Sequence, residues 1–281
     1  MRCISVLNQK GGVGKTTTVA NLGAALAELD KRVLLADMDP QANLSIHYGV
    51  ELERGEPSVY SLITEDDAAE DVRHETMMDG VDLLPSNIDL AGLEVELSGL
   101  GGGREKKLRR AVRGLQEDYD YFIIDCPPSL GLLTLNAMCA TSEAFIPLQT
   151  EFFALQGLGR LLGTVRLVRS GPNPDFEITG IIASMFDVRT SLAVDVLEDI
   201  RDHFGEKVFD TVIRNNIRLA EAPGYGKPIM LYDKRCYGCE DYRSLAREVV
   251  AMEDGKVDVP ADEDSTPPLP GEEDVPRAKA G

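Results

Sequence analysis

The chain has 281 residues, 43% hydrophobic and 6% aromatic with no Trp, which is enough to bury one large α/β core and excludes a wholly disordered chain. Its 48 acidic and 29 basic residues give a formal charge of −19, which excludes a generally basic, nucleic-acid-coating surface and restricts any DNA contact to a focused patch. Five Cys, an odd count in a long chain, favour reduced thiols over a disulfide framework.

Met1 and Arg2 lead straight into a strand-like CISVLN (3–8) without a signal-peptide layout, so a cytoplasmic protein is expected. The strand runs into QKGGVGKTTT, and an apolar-periodic helix follows over 16–29. Gly11, Gly12 and Gly14 allow successive backbone N–H groups, that of Val13 included, to face one anion at the positive end of that helix. Lys15 is placed to reach the β- and γ-phosphates of ATP, Thr16 to hold Mg²⁺ through its hydroxyl, and Thr17 completes the cradle. The ordinary motif has Gly five residues before the Gly of the terminal Gly-Lys. Here that place is Gln9, and a second lysine, Lys10, opens the loop.

The next strand, RVLLAD (32–37), leads into DMDPQAN. Asp39, just past its end, is a position from which a carboxylate holds an attacking water, and Asp37 is expected to support the Mg²⁺ shell. Read locally, both are also ordinary turn aspartates ahead of a Pro. After VDLLP (81–85), a Gly-rich break at 99–103 and a helix over 105–116, the strand YFIID (121–125) places Asp125 at the carboxyl edge of the sheet. Four apolar residues before an Asp match a Walker B strand, with Asp125 a third metal candidate beside Thr16 and Asp37. The longest uncharged stretch, 126–142, is interrupted by Pro127, Pro128, Thr134 and Asn136 and reads poorly as a membrane span.

Strands EAFIPL (143–148), EITGIIAS (177–184) and KVFDTVI (207–213) alternate with helices over 152–168, 192–203 and 241–252. This alternation predicts an α/β fold: a doubly wound, mainly parallel sheet with helices on both faces, as in P-loop NTPases. Residues 1–252 form the ATPase domain. Residues 253–281 carry nine acidic and three basic residues, five Pro and no aromatic, and are expected to be a disordered tail. The body without the tail still carries −13, and only ten of the 29 basic residues are Lys. That balance fits a halophilic setting, where screening by a salty cytoplasm reduces self-repulsion.

KGGVGKTT resembles the deviant phosphate loop of the ParA/MinD group, and the rest of the chain to about residue 250 is similar to ParA/Soj-type chromosome or plasmid partition ATPases. DMDPQAN matches the family's DxDPQGN with Ala42 for Gly, MFDVRTSL (185–192) its FDxRTxL, and TVIRNNIRLAEAPGYGKPI (211–229) its TVIPRNVRLSEAPSxGKPI. The resemblance implies that Lys10 crosses a nucleotide-sandwich homodimer to the partner's ATP. It also implies that Asn216 contacts adenine and that Arg189 and Arg218 contact DNA without sequence preference. Hydrolysis stimulated by a ParB-like protein would then end association with the nucleoid. The family's Pro and Arg before that Asn are Arg214 and Asn215 here.

Other readings remain. A MinD-like ATPase cycling on membranes needs a basic amphipathic C-terminal helix, whereas an acidic tail follows the last helix here. Iron-carrier relatives hold clusters with Cys pairs; Cys236 and Cys239 form one pair, which also reads as two small core residues. A protein-cargo positioning ATPase without DNA binding is the alternative, and a nucleotide-dependent scaffold or transcription regulator without turnover is a further one, against which Asp39 argues. A chain that begins at this loop leaves no room for an N-terminal helix-turn-helix, so operator binding is not expected.

Overall fold

The structure, a computed structural model, describes residues 1–64, 67–99, 101–151 and 154–254. Seven strands form one sheet: β1 (Arg2–Val6), β2 (Val33–Asp37), β3 (His74–Glu75), β4 (Val81–Leu84), β5 (Tyr121–Asp125), β6 (Glu143–Gln149) and β7 (Glu177–Ser184). Their order is β3-β4-β2-β5-β1-β6-β7, and every neighbouring pair is parallel except β3 with β4. Parallel neighbours need crossovers, so helices cover both faces and the strands read as nearly continuous apolar runs.

Alternation along each strand divides the interior into two cores. Leu34, Ala36, Phe122 and Ile124 face one side, with Leu133 and Ala137 of α3 (Leu132–Ala140), Leu161 and Val165 of α4 (Ala154–Arg169) and Ile200 of α5 (Ser191–Phe204). Val33, Leu35, Tyr121 and Ile123 face the other, against Val19, Leu22 and Leu26 of α1 (Lys15–Ala27) and Tyr242, Leu245 and Val249 of α7 (Tyr237–Asp254). Two further short helices matter to the site, α2 (Asn43–His47) and α6 (Ile217–Glu221). No helix among the described residues is long and apolar enough to cross a membrane.

Register sets the position of the site. Asp125 pairs with Asp37 on one side and Val6 on the other, so β2, β5 and β1 end level with one another. Ligands of open α/β sheets bind beyond such carboxyl ends, and here the loop from β1 into α1 lies there.

The expected strand at 207–213 is not part of the sheet. It meets β7 at one bridge, Val208 with Ile181, and a second bridge joins Arg214 to Phe186 beyond the strand's end. Between them the N–H groups of Asp210 and Thr211 donate to the Glu248 carboxylate of α7 at 2.8 Å each. A side chain has taken donors that a ladder would need. The expected helix over 105–116 is also broken, into a 3₁₀ turn, a helix at Lys107–Ala111 and a second 3₁₀ turn. Asn136 of α3 inserts there, accepting from Leu108 N–H at 3.2 Å and donating to the Arg104 carbonyl at 3.1 Å. Two-residue β3 is too short for any periodicity to reveal.

At the C-terminus α7 begins four residues earlier than expected and runs to Asp254, past the anticipated boundary at 252. Glu253 accepts from the Tyr121 hydroxyl and pairs with Lys31 at 3.4 Å. Beyond Asp254 the anticipated tail lies outside the described residues, as do Phe152 and Phe153 at the expected start of α4.

Candidate functional site

The loop from Asn8 to Gly14 is pinned at both ends. Asn8 accepts from Lys10 N–H at 2.9 Å and donates to the Pro147 carbonyl at 2.7 Å, while Ser184 donates to the carbonyl of buried Val13 at 2.8 Å. Gly12 and Gly14 have φ of +76° and +89°, a left-handed geometry that any side chain would strain, and a Cβ on Gly11, Gly12 or Gly14 would meet open space. Glycine is therefore required here by backbone conformation. Gly14 is the N-cap of α1 and no side chain caps that helix, so its first N–H groups point into the loop.

Three carboxylates and a lysine gather at the level strand ends. Thr16 Oγ1 donates to Asp125 Oδ2 at 2.6 Å, while Asp125 Oδ1 is buried and has no hydrogen-bond partner. Burial, and then the neighbouring Asp37, push the Asp125 carboxyl well above the usual range. A buried oxygen without a donor beside a hydroxyl and a phosphate cradle is what a divalent cation would satisfy, so Thr16 and Asp125 fit Mg²⁺. Lys15, 7% exposed, reaches only the Lys10 carbonyl, at 3.3 Å. Burial lowers its pKa, opposed by Asp125.

Asp37 is placed beside Asp125, but its oxygens serve the loop that follows. Oδ1 accepts from Asp39 N–H at 3.1 Å, and Oδ2 accepts from the N–H and hydroxyl of Ser45 at 2.9 and 2.8 Å. Complete burial pushes this carboxyl up to about 6. Ser45 also accepts from Ser86 N–H, and the Ser86 hydroxyl donates to the Asp39 carbonyl at 2.8 Å. Ser45 and Ser86, neither singled out in the sequence, thus set where Asp39 sits. Asp39 itself is half-buried and accepts from Gln41 N–H at 3.0 Å. Ala42 occupies φ +53°, the left-handed region where the family pattern has Gly. His47, at the end of α2, is 1% exposed with Nε2 unpartnered, and burial lowers its pKa to about 4.

Lys10 points away from Lys15. Its ammonium contacts Glu151 at 2.5 Å and Gln149 at 2.8 Å and is 53% exposed. Thr17, its carbonyl bound by Asn21 at 2.8 Å, lines a cleft of about 110 Å³ with Gly14, Met185, Arg214, Asn215, Asn216 and Tyr242, beside the loop. Asn216 caps α6, accepting from Arg218 N–H at 2.9 Å. Asn215 N–H donates to the Phe186 carbonyl at 3.1 Å, which joins the two segments that carry Arg189 and Arg218. Both carry carboxylate partners: Arg189 holds Asp187 at 2.7 Å, and Arg218 holds Glu221 at 2.8 Å and Asp233 at 3.6 Å. Cys239 is buried in the core and Cys236 half-buried beside it, and no cluster of His, Cys, Asp and Glu among the described residues is arranged to hold a metal.

Residues 1–178 match the family model described as an AAA domain. The chain is 49% identical over 250 residues to the sporulation initiation inhibitor protein Soj of Bacillus subtilis, covering 89% of this chain and 98% of Soj. It is 46% identical over 255 residues to the chromosome partitioning protein ParA of Caulobacter vibrioides, covering 90% and 95%. Among solved structures, one described as cobyrinic acid a,c-diamide synthase from Mycobacterium smegmatis with bound ADP and magnesium superposes with a TM-score of 0.79 at 37% identity. It covers 94% of this chain and 100% of that one.

Proposed function

The chain belongs to the ParA and Soj family of chromosome-partitioning proteins, P-loop ATPases that use ATP and Mg²⁺, and from that membership we propose the cycle its residues run. The observation that carries the reading is the buried, unpartnered Asp125 Oδ1 beside the Thr16 hydroxyl and the glycine loop. Thr16 and Asp125 would hold Mg²⁺, which would supply charge neutralisation to the phosphates. Backbone N–H groups of residues 11 to 17 would cradle the phosphates, and Lys15 would turn from the Lys10 carbonyl onto them.

Asp39 would hold the attacking water in line with the γ-phosphorus, and the Ser45–Ser86 network would fix its loop. Asp37 acts behind them as the anchor of that loop. Lys10 would exchange Glu151 for the partner subunit's nucleotide, so ATP would favour a homodimer. The dimer's paired Arg189 and Arg218 faces would bind DNA of any sequence on the nucleoid, and a ParB-like activator would trigger hydrolysis and release.

In Asp39→Ala, ATP binding should persist while turnover falls about 100-fold or more. Hydrolysis at the wild-type rate would remove Asp39 from the water-positioning role. The carboxylates on Arg189 and Arg218 favour a second reading, an ATPase that positions protein cargo without touching DNA. Retention of mixed-sequence duplex by the ATP-bound protein, scanned across salt, separates the two. Binding lost in Arg189→Glu with Arg218→Glu supports the first reading, and no binding by wild type at any salt supports the second.

A further inference from the structure

Arg214 lines the cleft beside the phosphate loop, and its side chain is tied to α7. Its guanidinium makes a two-pronged contact with Asp241 of α7, Nη2 to Oδ1 at 2.5 Å and Nε to Oδ2 at 3.1 Å. The same carboxylate accepts from the Arg214 backbone N–H at 2.9 Å. The guanidinium carbon lies 4.5 Å from the centre of the Tyr237 ring, one turn earlier on α7. The Asp241 side chain is 7% exposed, and Arg214 is its ion-pair partner. The following residue, Tyr242, also lines the cleft, and its hydroxyl lies 3.3 Å from Thr18 Oγ1 in the first turns of α1.

We propose that Asp241 and Arg214 are positioning residues for the nucleotide base: the carboxylate on α7 holds the Arg214 guanidinium against Tyr237 at the side of the cleft and fixes the backbone that presents Asn215 and Asn216 to adenine. The proposal rests on reading this cleft as the base site. Residues 214–216 lie past the end of β7, and the Phe186 bridge and Asp241 take the backbone N–H groups of Asn215 and Arg214. Asn side chains read a base through donors and acceptors whose direction matters, so a loop displaced by a fraction of an ångström loses discrimination before it loses phosphate binding. A guanidinium released into the cleft would also crowd the adenine amino group while tolerating a carbonyl oxygen in its place.

The test is titration of the purified full chain with ATP and, separately, GTP in the presence of Mg²⁺. For Asp241→Asn, ATP affinity should fall about tenfold, ~1.4 kcal/mol, while GTP affinity holds, so the preference for ATP collapses. Arg214→Lys, which keeps the charge but lacks the two-pronged geometry, should give a smaller loss of the same kind. Arg214→Pro combined with Asp241→Asn needs neither guanidinium nor carboxylate and should recover most of the preference. Equal losses for both nucleotides, or an unchanged ratio, would overturn the proposal. A wild type that binds ATP without preferring it to GTP would overturn it too. A wild type that binds neither would instead remove the nucleotide reading of the site.

Discussion

Two regions flank the phosphate loop and are built by different means: the level strand ends, here the phosphate side, and the cleft at residues 214–216 that we propose holds the base, here the base side. On the phosphate side, groups sit where adjacent parallel strands end, and register alone brings Asp37 and Asp125 together beside the loop after Val6. On the other side, residues 207–216 keep only scattered backbone bonds to β7 and Phe186, and amides between those bonds are taken by two carboxylates of one helix, Asp241 and Glu248, seven residues apart and therefore on one face. A site placed by strand ends inherits the rigidity of the core. A site placed by side chains can be retuned by one substitution far away in sequence.

That contrast sets the expected size of each perturbation. Lys15→Ala should lower ATP affinity by more than about 100-fold, since a buried cation facing phosphate is lost. It should leave the urea midpoint of the nucleotide-free protein nearly unchanged, because Nζ reaches only one carbonyl. A large loss of stability in the nucleotide-free protein would mean that the loop is not held by the strand ends.

His47 tests the same half through pH. Its folded pKa of about 4 lies below the ordinary 6.5, so the unfolded chain takes up a proton first as pH falls. Stability contributed by the neutral ring is therefore complete above about 6.5 and is lost between there and about 4, up to ~3 kcal/mol. Urea unfolding at pH 7.5 and 5 should show this loss in wild type and a flatter profile in His47→Gln. Parallel profiles would place the acid sensitivity elsewhere.

The smallest effect belongs to the base side. Glu248→Gln keeps one acceptor for two N–H groups and should cost ~1–2 kcal/mol in folding, read as an earlier urea midpoint. Faster amide exchange at Asp210 and Thr211 should accompany it, with the amides of residues 11 to 16 unaffected. Exchange that quickens equally in both segments would erase the distinction between the halves.

The same division explains what the sequence made legible. Strand, glycine loop and helix occur in unbroken order, so Gly11 to Thr17 were readable, and a strand ending in Asp located Asp125. Asp37 was located but its contacts with Ser45 were not, because Ser45 carries no motif and the contact depends on the turn at Ala42. KVFDTVI reads as a strand by composition; only the distant Glu248 reveals why its amides leave the ladder. Asn136 breaking the 105–116 helix is likewise a contact across sequence, invisible to periodicity. Asp241 and Tyr242 escaped notice because they lie in an ordinary amphipathic helix, far along the chain from the loop they hold.

Arg189 and Arg218 each meet a carboxylate in this chain, and hydrogen bonds from Arg189 pull the Asp187 carboxyl down to about 2. An arginine that binds DNA from bulk solvent releases a condensed cation, and each phosphate contact steepens the fall of log K with log salt by about 0.9. An arginine that must first leave an aspartate exchanges partners instead: DNA gives up a cation and the vacated carboxylate takes one. The ion count then nearly balances, so association would be weak in dilute buffer yet lose little as salt rises. A partition protein built this way would keep its grip on the nucleoid in a brine that strips an ordinary basic patch from DNA.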